Sequence, residues 1–456
     1  MKKSRFLSVI LLFSLLVGLF ATTPASALED PDIKAQAALL VDANTGSIVY
    51  AKNEHKELYP ASLTKIMTCL LTLEAVDSGR LSMDKMVTAH PSAFVGITED
   101  ASSGDIQPGE VMSVQDLLYC MMVVSANEAC NILAEEVAGS TAAFVEKMNE
   151  KAQQLGCEHT HFVNTNGLHD ERHYTSAWDL YLIIEEAMKH PDFMVICDTG
   201  DIILKPTNLH PENRYLHSTN YLLSVWRSRG YLNKNAHGIK TGHTSEAGHC
   251  LASSASKGSL HFISVILGAE RLELPDNEIR TMSFYETNRL FQWGLENFGY
   301  RDVLSSKDTI SDVEVALSKT DLVTVHPAKD LEILMPLDLK PEELEREVHL
   351  KESPIEAPIA EGDVLGSLTL SHGGKEYASV ELLALSDVEA DPLLVFWKNV
   401  QAFFAKTSVR VACLILAVLL AAFLVWKIFF SRRRYRYGRS YSGRSSRGYR
   451  GRKHRY

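Results

Sequence analysis

Hydrophobic and polar positions alternate with two different periods along this chain, and the changes of period map its organisation. Near the start, residues 37–41 and 47–51 read as two strands around Asn44-Thr45-Gly46, a turn sequence that favours a hairpin. After Pro60 the period lengthens: Leu63, Ile66, Met67, Leu70 and Leu71 share one helical face, so a buried helix opens at Ser62. Further amphipathic helices follow, among them 141–155 with its stop at Gly156. Residues 238–244, 250–255 and 261–267 return to strand patterns. An early hairpin and a late meander that bracket helices predict an α+β domain over 28–300, with one antiparallel sheet and a helical cluster.

The texture changes again near Asp302. Short runs at 322–326, 331–335, 364–370 and 379–385, with Pro and Gly between them, predict a small β-rich domain over 301–390. Residues 391–410 carry Leu393, Leu394, Phe396, Trp397, Val400, Phe403 and Phe404 in an amphipathic stretch suited to a membrane surface. Residues 411–430 are apolar except for Lys427 and make about 30 Å of helix, enough to cross a bilayer. A lysine near the end of a span can snorkel to the interface.

The two chain ends set the topology. Lys2, Lys3 and Arg5, an apolar run over 6–20 and Ala25-Ser26-Ala27 form an export signal, so 1–27 is expected to be removed. Residues 431–456 hold eleven Lys and Arg and no acid, which predicts a disordered cytoplasmic tail with the bulk of the chain outside, on a single span. The tail's Arg-Gly-Tyr-Ser texture also suits anionic lipid or RNA. The formal net charge is −11, but the tail contributes +11, the signal +3 and Lys427 +1, leaving −26 on residues 28–426. A domain that acidic is a poor binder of nucleic acid.

Seven cysteines occur, and Cys413 falls in the span. The other six (Cys69, Cys120, Cys130, Cys157, Cys197 and Cys250) contain no C-x-x-C pair, which argues against a zinc or redox motif; no metal or cofactor is expected. Cys69, Cys120 and Cys130 lie in apolar helical patterns that suit buried thiols, while disulfide pairing stays open.

Three short patterns carry chemistry: Ser62-Leu63-Thr64-Lys65, then Ser125-Ala126-Asn127, then Lys240-Thr241-Gly242. S-x-x-K recurs at Ser82/Lys85 and Ser254/Lys257, and S-x-N at Ser218/Asn220, whereas K-T-G occurs once. Context selects Ser62, because Ser254 lies in a strand pattern and Ser82 in a loop. A serine hydroxyl is a poor nucleophile until a base takes its proton, and Lys65, three residues on along a helix, sits beside it. To be neutral near pH 7 that lysine must drop from about 10.4, roughly 4 kcal/mol, which burial and a second cation such as Lys240 can supply. Alone, Ser62 also reads as an ordinary helix N-cap.

The wider sequence resembles the low-molecular-mass penicillin-binding proteins, serine D-alanyl-D-alanine carboxypeptidases, over roughly residues 30 to 390. Tyr59-Pro60-Ala61-Ser62, Asp116-Leu117-Leu118-Tyr119, Asn127-Glu128-Ala129, Phe162-Val163-Asn164, Gly167-Leu168-His169, Lys240-Thr241-Gly242-His243-Thr244 and Ala247-Gly248 carry the likeness in order. The resemblance implies a transpeptidase and β-lactamase-like fold. It also implies a peptidoglycan pentapeptide as substrate, β-lactams as covalent inhibitors, and a bacterial cell membrane as the location. By it, Ser62 attacks the bond between two D-alanines, and N–H groups of Ser62 and His243 form the oxyanion hole. Ser125 relays a proton, Asn127 bonds the peptide backbone, and Lys240 and Thr241 hold the terminal carboxylate beside Gly242. Ala126 stands where relatives often have Gly.

Other constellations weigh less. His159, His161, His169 and His173 lie close in sequence but lack H-E-x-x-H spacing. Arg280 is a candidate carboxylate contact whose simpler reading is a surface residue. A class A-like β-lactamase needs a glutamate-activated water, and the region here runs Asn164-Thr165-Asn166-Gly167-Leu168. A non-catalytic wall-binding scaffold is disfavoured because Ser62, Lys65, Ser125, Asn127 and Lys240 are all present.

Overall fold

The computed structural model describes residues 28–226 and 230–431. The export signal expected over 1–27 and, apart from Ser431, the basic tail lie outside the described residues. The chain divides into two compact units: one runs to Val303 and also takes in Glu332–Glu345 and His372–Tyr377, and the other holds the remainder.

The first unit is built on a five-stranded antiparallel sheet. Its strands are β1 (Ala37–Asp42), β2 (Ile48–Lys52), β3 (Ala236–Thr244), β4 (Gly248–Lys257) and β5 (Leu260–Ala269), in the spatial order β2-β1-β5-β4-β3. The expected hairpin and meander are therefore joined in one sheet through the β1–β5 pairing. Strand geometry sends successive side chains to opposite faces. Ala37, Leu39 and Val41 of β1 enter a helical core, while Ala38 and Leu40 enter a second core around Phe262, Leu290 and Phe291. Both faces of the central strands are thus covered, which explains why β1 is buried at every position. The far face is closed by the helix Met282–Asn297.

At the centre of the helical cluster lies α1 (Lys65–Asp77), ten of whose thirteen residues are buried. A helix apolar on nearly all sides belongs inside a protein. Around it pack α2 (Val114–Val123), α3 (Asn127–Ala138), α4 (Thr141–Gln154) and α5 (Ala177–Met188). Ser113, Ser140 and Ser176 cap the first turns of α2, α4 and α5 by accepting from Asp116, Ala143 and Asp179 N–H groups. Each such cap is worth about 1 kcal/mol. The expected helix at 141–155 ends one residue earlier, with Gly156 in the left-handed region.

One local expectation is corrected. Ser62 does not open the α-helix; it sits on a tight 3-10 turn, Ala61–Thr64, and α1 starts at Lys65. Neither segment has a side-chain cap: Pro60, before the 3-10 turn, has no polar side chain, and the Thr64 hydroxyl, before α1, fixes the turn by donating to the Ala61 carbonyl at 2.9 Å.

The second unit contains a six-stranded sheet ordered Glu345–Leu350, Val364–His372, Lys375–Ala384, Leu322–Pro327, Ser311–Ala316, Ile355–Glu356. Three of the four expected strands lie in it, whereas Leu331–Pro336 pairs with Phe298–Leu304 instead. Pro392–Ala405 is a helix capped by Asp391, with Leu393, Phe396, Trp397 and Phe403 exposed. Thr407–Ser431 follows as a helix, and 23 residues of it, Thr407–Phe429, are long and apolar enough to span a bilayer. The apolar helix therefore begins four residues before the expected start at 411, because Thr407, Ser408 and Arg410 continue the same turn pattern. All seven cysteines are unpaired, and five of them, Cys69, Cys120, Cys130, Cys197 and Cys250, are buried.

Candidate active site

Three segments far apart in sequence meet at the N-terminal end of α1. The 3-10 turn presents Ser62, the turn between α2 and α3 presents Ser125, the first residue of α3 is Asn127, and the edge strand β3 presents Lys240-Thr241-Gly242. Lys65 is fully buried, and its Nζ lies 2.8 Å from Ser62 Oγ, 2.7 Å from Asn127 Oδ1 and 2.7 Å from the Asn166 carbonyl oxygen. None of the three is a carboxylate. Burial pushes the lysine down to about 8, against opposing influences that include Glu128.

This set of partners directs a proton. An amide oxygen and a peptide carbonyl can only accept, so Asn127 and Asn166 each take one N–H from Lys65 in either charge state. Ser62 alone can reverse its role. When Lys65 is charged the hydroxyl accepts its third N–H; when it is neutral the hydroxyl donates to the nitrogen lone pair. Deprotonation of Lys65 thus converts Ser62 into a hydroxyl aligned on a base.

Lys240 is also buried, and its Nζ donates to the Thr241 carbonyl at 3.0 Å. Burial and the nearby Lys65 ammonium hold it well below the ordinary lysine range. The strand carrying Lys240 is pressed against the Ser62 turn: a Cβ at Gly242 would lie 2.9 Å from the Pro60 carbonyl oxygen and 3.2 Å from the Ser62 nitrogen. Only glycine allows that approach. His243 is exposed, its ring 4.2 Å from that of His249, and His249 is driven down to about 4 mainly by burial.

Ser125 is buried and adopts a left-handed backbone, φ 66°. A non-glycine residue held there is strained, and such strain gathers at functional sites. The turn is held by Ala126 N–H to the Cys120 carbonyl at 3.0 Å and Asn127 N–H to the Ser102 carbonyl at 2.9 Å. Among the described residues the Ser125 hydroxyl makes no protein hydrogen bond.

Two positioning groups escaped the sequence reading. Thr219 Oγ1 lies 2.7 Å from Thr241 Oγ1, which adds a second hydroxyl beside the K-T-G strand. The signal was the repeated S-x-N: Thr219 is its middle residue, and Asn220 ties the segment to the Gly238 carbonyl at 2.7 Å. His173 is the other. Its Nδ1 accepts from Val163 N–H at 3.1 Å, so Nε2 carries the proton to Thr64 Oγ1 at 2.7 Å, and Thr64 in turn donates to Ala61. Burial lowers His173 to about 4, which keeps this tautomer neutral.

The remaining candidates separate. His159 contacts Glu57 and Asp179, His161 bonds the Arg172 carbonyl, and His169 packs edge-on against Tyr59. Among the described residues no group of three His, Cys, Asp or Glu side chains is placed to hold a metal. Arg280 pairs with Asp276 and Glu278. Of the repeated S-x-x-K pairs, Ser254 is buried in β4 on the His237 carbonyl and Lys85 pairs with Glu136.

Residues 24–271 match the family model for D-alanyl-D-alanine carboxypeptidase, and residues 298–390 match that for the C-terminal domain of penicillin-binding protein 5. The D-alanyl-D-alanine carboxypeptidase DacF of Bacillus subtilis is 31% identical over 411 residues, which cover 87% of this chain and 99% of that protein. DacA of Haemophilus influenzae is 31% identical over 81% of this chain and 87% of its own length. Among solved structures, penicillin-binding protein 5 of Haemophilus influenzae matches with a TM-score of 0.63 at 31% identity, covering 80% of this chain and all of that one. The carboxypeptidase DacD of Francisella tularensis matches with a TM-score of 0.64 at 26% identity, over 82% of this chain and 98% of its own.

The loop that supplies the Asn166 carbonyl is clamped on the Ser62 turn. Gly167 has φ 88°, and a Cβ there would sit 1.8 Å from the Ala61 carbonyl oxygen. Gly167→Ala is therefore expected to lower unfolding free energy by about 2–4 kcal/mol, read as a lower urea midpoint. An unchanged midpoint would mean that this contact is not needed.

Proposed function

The chain belongs to the D-alanyl-D-alanine carboxypeptidase family, and from that premise we propose that it removes the terminal D-alanine from peptidoglycan pentapeptides through an acyl-enzyme on Ser62. The observation that carries the reading is the 2.8 Å approach of Ser62 Oγ to a fully buried lysine poised at about 8. Neutral Lys65 takes the hydroxyl proton as Oγ bonds to the scissile carbonyl carbon. N–H groups of Ser62 and His243 receive the developing oxyanion. The C–N bond then breaks, and the proton reaches the leaving amine through Lys65 or Ser125. Water hydrolyses the ester and restores Ser62.

Substrate recognition follows from the same walls. The terminal carboxylate lies on Lys240, Thr241 and Thr219, and its charge restores the ammonium form that burial disfavours. Asn127 spends its oxygen on Lys65 and keeps its N–H donors for the peptide carbonyl. β-Lactams acylate the same hydroxyl and act as covalent inhibitors. A β-lactamase reading has less support, since the group offered to Lys65 by the 164–168 loop is a backbone carbonyl and not a carboxylate.

At the membrane, Thr407–Phe429 crosses once, the catalytic unit stands outside a bacterial cell, and the tail lies against anionic lipid within. The acidic ectodomain takes no nucleic acid.

D-alanine release from a pentapeptide ending in D-Ala-D-Ala is expected from the wild type and not from Ser62→Ala. Release by both proteins would sink the nucleophile assignment. Acylation by a labelled penicillin should climb about tenfold per pH unit below the Lys65 value and level off above about 8, because only the neutral amine can accept the proton. A rate that is flat from pH 6 to 9 would rule out Lys65 as the base. Protease added outside intact cells should cut the catalytic unit away, whereas its full protection would reverse the orientation.

A further inference from the structure

Ala61, the residue before Ser62, is buried and adopts a left-handed backbone, φ 47°. An alanine is strained there and keeps the conformation only where its surroundings fix it. Its carbonyl oxygen is what they hold. That oxygen accepts from Thr64 Oγ1 at 2.9 Å, Thr64 accepts from His173 Nε2 at 2.7 Å, and His173 Nδ1 accepts from Val163 N–H at 3.1 Å. Thr64 and His173 are both buried, and the His173 ring packs edge-on against Phe162 at 5.6 Å. Each donor in this run points toward the Ala61 oxygen, and aligned hydrogen bonds polarise one another.

The Ala61 carbonyl and the Ser62 N–H belong to one planar, trans peptide unit, so they point in opposite directions. The carbonyl faces the 164–168 loop, where a Cβ at Gly167 would lie 1.8 Å from its oxygen. The nitrogen lies toward β3, where a Cβ at Gly242 would be 3.2 Å away. Among the described residues the Ser62 N–H donates to no protein acceptor. We propose that Thr64 and His173 are positioning residues for the oxyanion hole: by holding the carbonyl of the Ala61–Ser62 peptide, they aim its N–H at the substrate oxygen that becomes negative. Their side-chain hydrogen bonds involve neither Lys65 nor any of its three oxygen partners. A donor fixed in this way acts on the transition state more than on the bound ground state.

The proposal rests on the Ser62 acyl-enzyme reading. Acylation of the full chain by a labelled penicillin is resolved into a non-covalent dissociation constant and a first-order acylation rate. The proteins compared are wild type, Thr64→Val, Thr64→Ser, His173→Leu and His173→Gln, with Ser62→Ala as blank. Thr64→Val and His173→Leu remove the relay's polar atoms, whereas Thr64→Ser and His173→Gln keep a donor and an acceptor. The acylation rate is expected to fall about tenfold or more in Thr64→Val and His173→Leu, part of what loss of a whole oxyanion donor costs. The dissociation constant is expected to hold, as is the acylation midpoint near pH 8, because Lys65 keeps its partners. Thr64→Ser and His173→Gln are expected to restore most of the rate.

Unchanged acylation rates in Thr64→Val and His173→Leu overturn the proposal. So does a fall matched by an equal loss of binding or by a displaced midpoint, since that is general loosening of the site. A Thr64→Ser rate as low as that of Thr64→Val overturns it as well. If neither Thr64→Val nor His173→Leu folds, Thr64→Ser and His173→Gln decide: near wild-type rates sustain the relay and slow ones overturn it. A wild type that takes no label overturns the acyl-enzyme reading and this proposal together, whereas a labelled wild type with unaltered variants overturns this proposal alone.

Discussion

An ammonium group buried without a carboxylate partner is the constraint on which the rest of the catalytic unit depends. Lys65 has left water for three neutral oxygens, an exchange that is unfavourable for a charge and acceptable for an amine. The fold enforces it. The side chain emerges from the start of a helix that is buried on almost every side, and each acceptor arrives from a different segment. A lysine on a surface helix would relax into solvent and recover its ordinary basicity. Here the surrounding core removes that option, so the cost of dehydration is stored as readiness to accept a proton.

The site is consequently a meeting of elements more than a property of any one of them. Close backbone approaches bring β3 and the 164–168 loop onto the Ser62 turn, and both depend on glycine. Ser125 is held in an unfavourable backbone region by hydrogen bonds at its neighbours. The Val163–His173–Thr64–Ala61 chain pins the same turn from beneath. Strain at Ser125 and a buried lysine persist together because the packing around them is over-determined.

Much of this was legible in the residues. The hairpin at 37–51 and the late meander showed their period, and the three short patterns gained weight from their order and from the helix that follows Ser62. What stayed hidden depended on contacts between distant segments. Nothing local in Ser218-Thr219-Asn220 tells that its middle hydroxyl reaches Thr241, and the histidines near 160–173 suggested a metal only because spacing does not say which way each ring points. The 3-10 start of α1 was missed because the helical pattern of apolar residues runs unbroken through Leu63. In the second unit, strands with few apolar residues, such as Glu345–Leu350, carry little alternation to detect. Leu331–Pro336 has a clear strand pattern, but pattern alone does not name its partner.

The unpaired cysteines have a consequence of their own. Five are sealed in the interior, and burial raises their thiols far enough that almost no thiolate is exposed to attack. No covalent crosslink contributes to the fold, so its stability carries no term for the redox poise of the surroundings. The catalytic unit is therefore expected to reach the same structure in a reducing compartment as in an oxidising one, without an isomerase to sort its thiols.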